Sequence, residues 1–237
     1  MVCSFDDPDK LKEWIELCKL MKDISSVVCF RFTPTELTIQ MKHDSKRCIL
    51  DMIFPSAWFS FYDWKETEIY VSTHSLLTIF SRYSGEKIIS MESEKKYILI
   101  KCFHDRQNKN FSIPLLYHPD KIVQVHIDPG LDFDVDSTFF HTICKELYTF
   151  DEWVHFKIKK EFFHMISQRD EKMVVEVQPI MIECDGNYEN TFELFYVLLF
   201  LKFSLIYPTL HVRLSNLLEF SIEKEYTLHY YVCSIKS

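Results

Sequence analysis

A histidine and a cysteine stand three positions apart in the stretch STFFHTICKELYTF, residues 137–150. Positions three apart in a helix lie about one turn from each other, so the imidazole of His141 could touch the thiol of Cys144. An imidazole beside a thiol activates a cysteine nucleophile, which is the chemistry of a thiol hydrolase. Whether that chemistry is available depends on the side of the helix to which each side chain points.

The helical positions of these two residues separate them. At 100° per residue, Cys144 falls on the apolar side together with Phe139, Phe140, Ile143 and Leu147. The polar side holds Thr138, His141, Thr142 and Lys145. Cysteine is among the residue types most often buried as a small hydrophobe. The pattern therefore predicts a buried thiol and no catalytic residue, with a cysteine-dependent hydrolase as the remote alternative.

The composition of the 237-residue chain is that of a globular protein and excludes several kinds of site. Hydrophobic residues make up 47% and charged residues 26%, which argues against disorder. The three scattered glycines cannot form a glycine-rich phosphate loop. The eight cysteines lie at least eleven positions apart, so CxxC motifs are absent and free thiols in a reducing compartment are expected. We predict no metal site and no cofactor.

Net charge and hydropathy restrict the partners. The formal charge of −8 repels nucleic acid at long range, so DNA binding requires the 27 basic residues to gather on one surface. Residues 194–210, LFYVLLFLKFSLIYPTL, are apolar but short for a bilayer, and they contain Lys202 and Pro208. We therefore expect a buried helix there and no membrane association.

Four segments carry helix-start signals at nearly even intervals. Asp7 precedes Pro8, Ser72 precedes THSLLTIFSRY, Asp136 precedes STFFHTICKELY, and Asn190 precedes TFELFYVLLFLKF with Glu193 at the capping-box position. These starts are separated by 65, 64 and 54 residues. Such spacing indicates a repeated unit.

Strand patterns follow every predicted helix. About three alternating or β-branched segments come after each one, such as VVCFRF, ELTIQMK and RCILDMIF after the first, and further short strands are expected just ahead of each helix. The predicted fold class is α+β: two similar domains of antiparallel sheets with two helices each. We place the domains at residues 1–116 and 131–237, joined by a connector at 117–130.

Three of the four helices combine an apolar underside with an outer side of Lys, Arg, His, Ser and Thr. Basic or imidazole groups on the outer sides are Lys12 and Lys19 in the first helix, with Lys22 to one side, His74 and Arg82 in the second, and His141 and Lys145 in the third. The fourth helix offers Lys202 alone. Such groups contact phosphates without reading base sequence. An ordinary solvated helix face is the alternative interpretation of the same pattern.

Three passages carry a family resemblance. ELTIQMKHDSKRCIL is similar to a strand ending in a Met-Asp-Ser-Ser-His loop, with Lys42 and His43 extending the loop after Met41. FFHTICKELYTFDEWVHFKI is similar to a helix with the pattern Phe-x-x-Ile-Cys-Arg-Asp-Leu, with Lys145 at the basic place. EFSIEKEYTLHYYVCSIK is similar to a closing Tyr-Tyr-Leu-Ala-Pro-Lys strand, with Ser234 replacing the proline. In this order, and with the fourfold repeat, the chain resembles the PCNA family of DNA sliding clamps.

The resemblance implies a protein without an active site that encircles duplex DNA and tethers polymerases and other replication or repair enzymes. Subunits of such a clamp join edge to edge into a ring, so a homotrimer is expected, and a clamp loader is a candidate partner. The residues expected to contact DNA are Lys12, Lys19, Lys22, His74, Arg82, His141, Lys145 and Lys202. The implied location is the nucleus, or a cytoplasmic replication site for a viral clamp.

The resemblance also implies two protein-binding surfaces. A pocket for a short hydrophobic and aromatic peptide of a DNA polymerase would involve Met41, His43, Ile122, Val123, Val125, Ile127, Tyr231, Val232 and Cys233. Plain packing of the connector on a sheet is the alternative for its aliphatic residues. The subunit interface would involve Phe111, Ile113 and Leu115 on one edge strand, and Met173, Val175 and Val177 on another.

Two departures from the family pattern keep other assemblies open. Pro114 lies in the strand NFSIPLL at the implied subunit junction, where it removes one N–H donor or limits the usable length of the strand. The fourth helix is poor in charge. A subunit of a heterotrimeric checkpoint-type clamp and a herpesvirus-type processivity factor that closes no ring are the alternatives.

Overall fold

The structure, a computed structural model, describes residues 1–82, 88–104, 107–117, 123–128, 130–159, 162–177, 182–183 and 188–235. Contacts between residues divide the chain into two units. Unit 1 comprises Met1–Asp44, Leu50–Ile122 and Glu223–Leu228, and unit 2 comprises Ser45–Ile49, Val123–Ile222 and His229–Ser237. The units are therefore not contiguous in sequence, because each takes a short segment from the other half of the chain.

The first half of the chain contains nine strands and two helices within the described residues. They are β1 (Val2–Phe5), α1 (Pro8–Ile24), β2 (Val27–Phe32), β3 (Glu36–Lys42), β4 (Cys48–Pro55), β5 (Phe61–Asp63), β6 (Thr67–Ser72), α2 (Thr73–Arg82), β7 (Ile88–Ser93), β8 (Tyr97–His104) and β9 (Gln107–Pro114). A short 3-10 helix at Ser56–Trp58 precedes β5.

The second half repeats the pattern. Its elements are β10 (Leu131–Asp136), α3 (Ser137–Leu147), β11 (Trp153–Lys159), β12 (Phe162–Gln168), β13 (Lys172–Val177), β14 (Ile182–Glu183), β15 (Tyr188–Glu193), α4 (Leu194–Ser204), β16 (Thr209–Leu214), β17 (Leu217–Glu223) and β18 (Thr227–Cys233). The predicted α+β class, the three strands after each helix and the short strand ahead of each helix are confirmed. In the described residues, no helix has the length and apolarity to cross a membrane.

Each unit contains antiparallel sheets with a pair of helices. In unit 1, one sheet has the strand order β5-β1-β7-β8-β9, and other strands run in the order β4-β3-β2-β6. In unit 2, one sheet has the order β13-β12-β11-β15, and other strands run in the order β14-β10-β16-β17-β18. Helix α1 packs beside α2, and α3 packs beside α4.

Side-chain caps start three of the helices where the sequence predicts. The carboxylate of Asp7 accepts from the N–H of Asp9 at 2.9 Å, with Pro8 at the first helical position. The hydroxyl of Ser72 accepts from the N–H of Ser75 at 3.3 Å. The carboxylate of Asp136 accepts from the N–H of Phe139 at 2.7 Å. These three predicted starts are confirmed.

The predicted start of the fourth helix is wrong. Asn190 and Glu193 belong to β15, where they pair with Phe156 and Trp153 of β11, and α4 begins at Leu194 without a side-chain cap. The N–H of Leu194 is satisfied instead by the carbonyl of Glu152, at 2.8 Å. The cross-strand ladder therefore takes the residues that resembled a capping box, and the strand runs directly into the helix.

Aromatic side chains fill the core of each unit. In unit 1, the ring of Trp14 lies 5.3 Å from that of Phe5 and 5.5 Å from that of Phe54. In unit 2, the ring of Phe200 stacks at 5.2 Å on Phe220 and at 4.9 Å on Tyr230. All six are at most 2% exposed, so α1 and α4 are anchored to their sheets by large buried rings.

Candidate functional site

The imidazole of His141 and the thiol of Cys144 do not form a catalytic pair. Cys144 is fully buried, and burial raises the pKa of its thiol. His141 is half-buried; partial burial and the nearby charges of Lys145 and Lys202 lower the pKa of its imidazole. The thiol is thus a small hydrophobic core group, and the imidazole lies near the ammonium groups of two lysines.

The basic residues predicted on the helices of unit 1 all lie on exposed positions: Lys12, Lys19, Lys22, His74 and Arg82. A groove of about 480 Å³ lies along α1 and reaches α2. It is lined by Pro8, Asp9, Lys12, Ile15, Glu16, Lys19 and Ser81.

Not all of these charges are equally available. The ammonium of Lys19 lies 2.6 Å from the carboxylate of Glu16, and the ammonium of Lys22 lies 3.9 Å from that of Asp23. Among the described residues, Lys12 has no ion pair, so its ammonium is freer than those of Lys19 and Lys22.

The basic residues predicted on the helices of unit 2 lie together. Lys145 and Lys202 are exposed, and both charges act on His141, which places the three groups close to one another across α3 and α4. None of the three has an anionic partner within the described part of the chain. The cluster therefore suits a bound anion such as a phosphate.

One helix position differs from the prediction. Phe139 was expected on the buried side of α3, but it is 50% exposed, whereas Phe140, Ile143, Cys144 and Leu147 are buried. Phe139 lies in the first turn at the margin of the apolar side, where burial depends on a neighbour rather than on helical period.

The C-terminal residues predicted for a peptide pocket lie at the end of β18. Tyr231 is 7% and Val232 0% exposed, so these side chains are largely within the core, and Cys233 is half-buried. The N–H of Cys233 donates to the carbonyl of Arg47 at 2.8 Å, which fixes the segment Ser45–Ile49 against the strand end. Burial raises the pKa of the Cys233 thiol.

The residues predicted from β3 and its loop are less accessible. Met41 is only 3% exposed, and His43 is half-buried. The side chain of Met41 faces the core because β3 alternates between buried and half-buried positions. It therefore offers little surface to a peptide as the chain stands.

The connector is extended, with alternating exposure. Val123, Val125 and Ile127 are half-buried, whereas residues 124, 126 and 128 are exposed. Ile122 lies outside the described residues. The aliphatic side chains thus share one side, as a strand-like segment with period two requires.

Asn216 organises this surface, and sequence reasoning missed it. Its amide donates to the carbonyl of His126 at 3.3 Å, and its side-chain oxygen accepts from the N–H of Asp128 at 3.1 Å. Its own carbonyl accepts from the hydroxyl of Ser234 at 3.0 Å. One turn residue therefore ties the connector and the C-terminal segment together. The only available signal was a Ser-Asn turn between two strands.

Two strands lie at open edges of sheets, as the sequence predicts for a subunit interface. Strand β9 ends the sheet of unit 1, and β13 ends the four-stranded sheet of unit 2. Among the predicted interface residues, Ile113 and Val177 are buried in the core. The others are half-buried at the edges: Phe111, Leu115, Met173 and Val175.

The directions of the backbone N–H groups along β9 explain why the strand tolerates Pro114. The N–H of Leu115 donates to Lys96 of the turn before β8 at 3.0 Å, and the N–H of Leu116 donates to Tyr70 at 2.8 Å. Because directions alternate along a strand, the nitrogen of Pro114 points away from β8. The proline leaves the internal ladder intact and ends the row of N–H groups on the open side, which an edge strand tolerates.

Comparison with solved structures finds the same architecture in known proteins. No protein-family model matches the sequence, and no curated protein sequence matches it. The structure superposes on PCNA from Thermococcus kodakaraensis with a TM-score of 0.88 and 12% identity, covering 99% of both chains. It superposes on the PCNA2-PCNA3 complex from Sulfolobus tokodaii with a TM-score of 0.84 and 15% identity, again covering 99% of both chains. The chain has the fold of the PCNA sliding clamps.

Proposed function

We propose that the protein is a sliding clamp that encircles duplex DNA without sequence preference and tethers a DNA polymerase. The observation that carries the proposal is the PCNA fold over 99% of the chain. Exposed cations on the helices of both units support it, since phosphate contacts of this kind are blind to sequence. The buried Cys144 supports a scaffold rather than a thiol hydrolase.

We propose that three copies close the ring through β9 of one copy and β13 of the next. The open side of β9 presents the N–H groups of Asn108, Asn110 and Ser112, and the open side of β13 presents those of Lys172, Val174 and Glu176. An antiparallel register with Asn110 opposite Val174 pairs all six residues and leaves Pro114 beyond the ladder. The half-buried Phe111 and Met173 would then pack across the junction.

The partner site is proposed on the surface organised by Asn216. Val123, Val125 and Ile127 supply a row of aliphatic groups, and the strand end at Cys233 lies against Ser45–Ile49. Burying one such aliphatic side chain contributes about 1.5–3 kcal/mol. A polymerase peptide with an aliphatic residue and one or two aromatics fits this chemistry. The cationic side chains of Lys46 and Arg47 favour a peptide with acidic residues on either side of this motif.

A topological experiment tests the clamp. Rings thread onto linear duplex DNA from its open ends without a loader. Bulky blocks that are then attached to both ends trap them. We expect protein to remain on doubly blocked DNA after a jump to high salt and to leave when a restriction enzyme frees one end. Equal loss from blocked and unblocked DNA would reject encirclement and favour an open processivity factor.

Fluorescence anisotropy with peptides from the cognate polymerase tests the tether. We expect micromolar binding and a loss of at least tenfold in Ile127→Asp, whereas Val174→Thr on β13 serves as the control and binds normally. If the Ile127→Asp variant binds as well as the unmodified protein, the connector is not the peptide site.

A heteromeric ring is the second candidate. The comparison with a PCNA2-PCNA3 complex and the short open side of β9 beside Pro114 favour it. Light scattering separates the two: a homotrimer gives about three times 28.5 kDa, and a subunit that requires unlike partners stays near 28.5 kDa by itself.

A further inference from the structure

The surface formed by α4 and the turn after it exposes apolar groups, unlike a solvated helix. Phe195 in the first turn of α4 is 43% exposed, and Leu205 and Ile206, directly after the helix, are 44% and 43% exposed. Lys202 is the exposed charged residue of α4. Phe195 and Lys202 are seven positions apart, so they lie on the same side of the helix. A row of exposed apolar groups around one cation indicates a surface that meets another molecule.

The facing side of α3 continues this row. The N–H of Leu194, where α4 begins, donates to Glu152, and the N–H of Ser137, where α3 begins, donates to Pro208. The two helices therefore run antiparallel, which places Phe195, in the first turn of α4, and Tyr148, directly after α3, at the same end of the pair. Tyr148 is 42% exposed. Lys145 lies three positions before Tyr148, and its charge and that of Lys202 both act on His141, in the middle of α3.

We propose that this face of unit 2, defined by Tyr148, Phe195, His141, Lys145 and Lys202, binds single-stranded DNA. Bases would stack on the rings of Phe195 and Tyr148, and phosphates would lie on Lys145 and Lys202. Phe195 and Lys202 are about 10 Å apart along the helix axis, the length of about three stacked nucleotides. The proposal rests on the proposed function for its choice of DNA as the ligand.

The chemistry favours unpaired nucleotides over the other occupants. In a duplex the base faces are already stacked, so exposed aromatic rings gain nothing from a phosphate backbone. An apolar protein surface would bury the ammonium groups of Lys145 and Lys202, which have no anionic partner among the described residues, and that burial is costly. A single strand offers free base faces and phosphates side by side, as the exposed rings and cations require.

Anisotropy with a labelled oligo(dT) of thirty nucleotides and a labelled duplex of the same length tests the proposal. The test variant is Tyr148→Ala combined with Phe195→Ala. The control is Phe139→Ala, which removes an exposed ring from the opposite flank of α3. We expect the double variant to lose at least about tenfold in affinity for oligo(dT), with duplex affinity within about twofold. The control should change neither, and all variants should melt cooperatively.

Other outcomes overturn the proposal in distinguishable ways. Binding of duplex but not oligo(dT) by the unmodified protein would reject it and leave the clamp standing. Unchanged oligo(dT) affinity in the double variant would reject this face as the site. If the double variant loses binding to phosphatidylserine vesicles but keeps its affinity for oligo(dT), the face would be assigned to a lipid surface. Binding of neither DNA would also count against the clamp.

Discussion

The helix pairs of the two units share an architecture but differ in what they show to solvent. In unit 1, the exposed groups of α1 and α2 include Lys12, Lys19, His74 and Arg82. In unit 2, α4 buries eight of its eleven residues and exposes Phe195 beside a single Lys202. The sheet requires only one apolar side of each helix, so the outer side is free to differ. In the proposed clamp, the two helix pairs would therefore offer different groups to DNA.

The largest expected effect concerns the buried side of α4. Replacing Phe200 by alanine should lower the free energy of unfolding by about 3–5 kcal/mol, because its fully buried ring stacks on Phe220 and Tyr230. Phe195→Ala on the same helix is the matched control and should cost well under 1 kcal/mol, since that ring is 43% exposed. Urea denaturation measures both. Similar losses in the two variants would show that the exposed ring of Phe195 packs in the core.

The two units also differ in the edge strands, β9 and β13, that are proposed to join the subunits. Val174→Pro removes an N–H from the open side of β13 and should shift the protein from about three times 28.5 kDa to a monomer in light scattering. Val174→Thr keeps the N–H and should leave the mass unchanged. The open side of β9 already ends at Pro114, so the ladder cannot move to a longer register. A trimer that survives Val174→Pro would reject this edge as the junction.

Local sequence patterns predicted most of this fold, and contacts between residues far apart in the sequence determine the rest. Alternation along ELTIQMK predicts β3 with its bounds, and Asp7 and Asp136 predict their helix starts, because period and capping act over a few residues. The start of α4 could not be predicted from Asn190, since pairing with β11 overrides the capping signal. The same holds for Asn216, whose partners lie 88 and 90 residues away.

Charge removal tests whether each unit contacts the duplex backbone. Lys12→Ala with Lys19→Ala should lower the slope of log affinity against log salt by about 1.8, and Lys145→Ala with Lys202→Ala by a similar amount. Each exposed change should alter stability by less than about 0.5 kcal/mol. Duplex binding across a salt series measures both slopes. A slope unchanged by the first pair, with normal melting, would remove α1 from the DNA contact.

The smallest expected effect tests whether His141, Lys145 and Lys202 of unit 2 form one cluster. Partial burial, Lys145 and Lys202 lower the pKa of His141 below 6.5, so the folded chain binds fewer protons than the unfolded chain between that lowered pKa and 6.5. Stability should therefore rise as the pH rises through this window. Lys145→Gln should move the pKa of His141 upward in an NMR titration of its ring proton.

Lys172→Gln removes a charge that does not act on His141 and is the control for that titration. Adding duplex DNA should move the same pKa upward as well, because a nearby phosphate favours the imidazolium. If the pKa of His141 stays the same in Lys145→Gln and also with DNA, then His141, Lys145 and Lys202 neither form one cluster nor hold a phosphate. In that case unit 2 would contact DNA through other groups, and the contrast between the helix pairs would reduce to hydrophobicity alone.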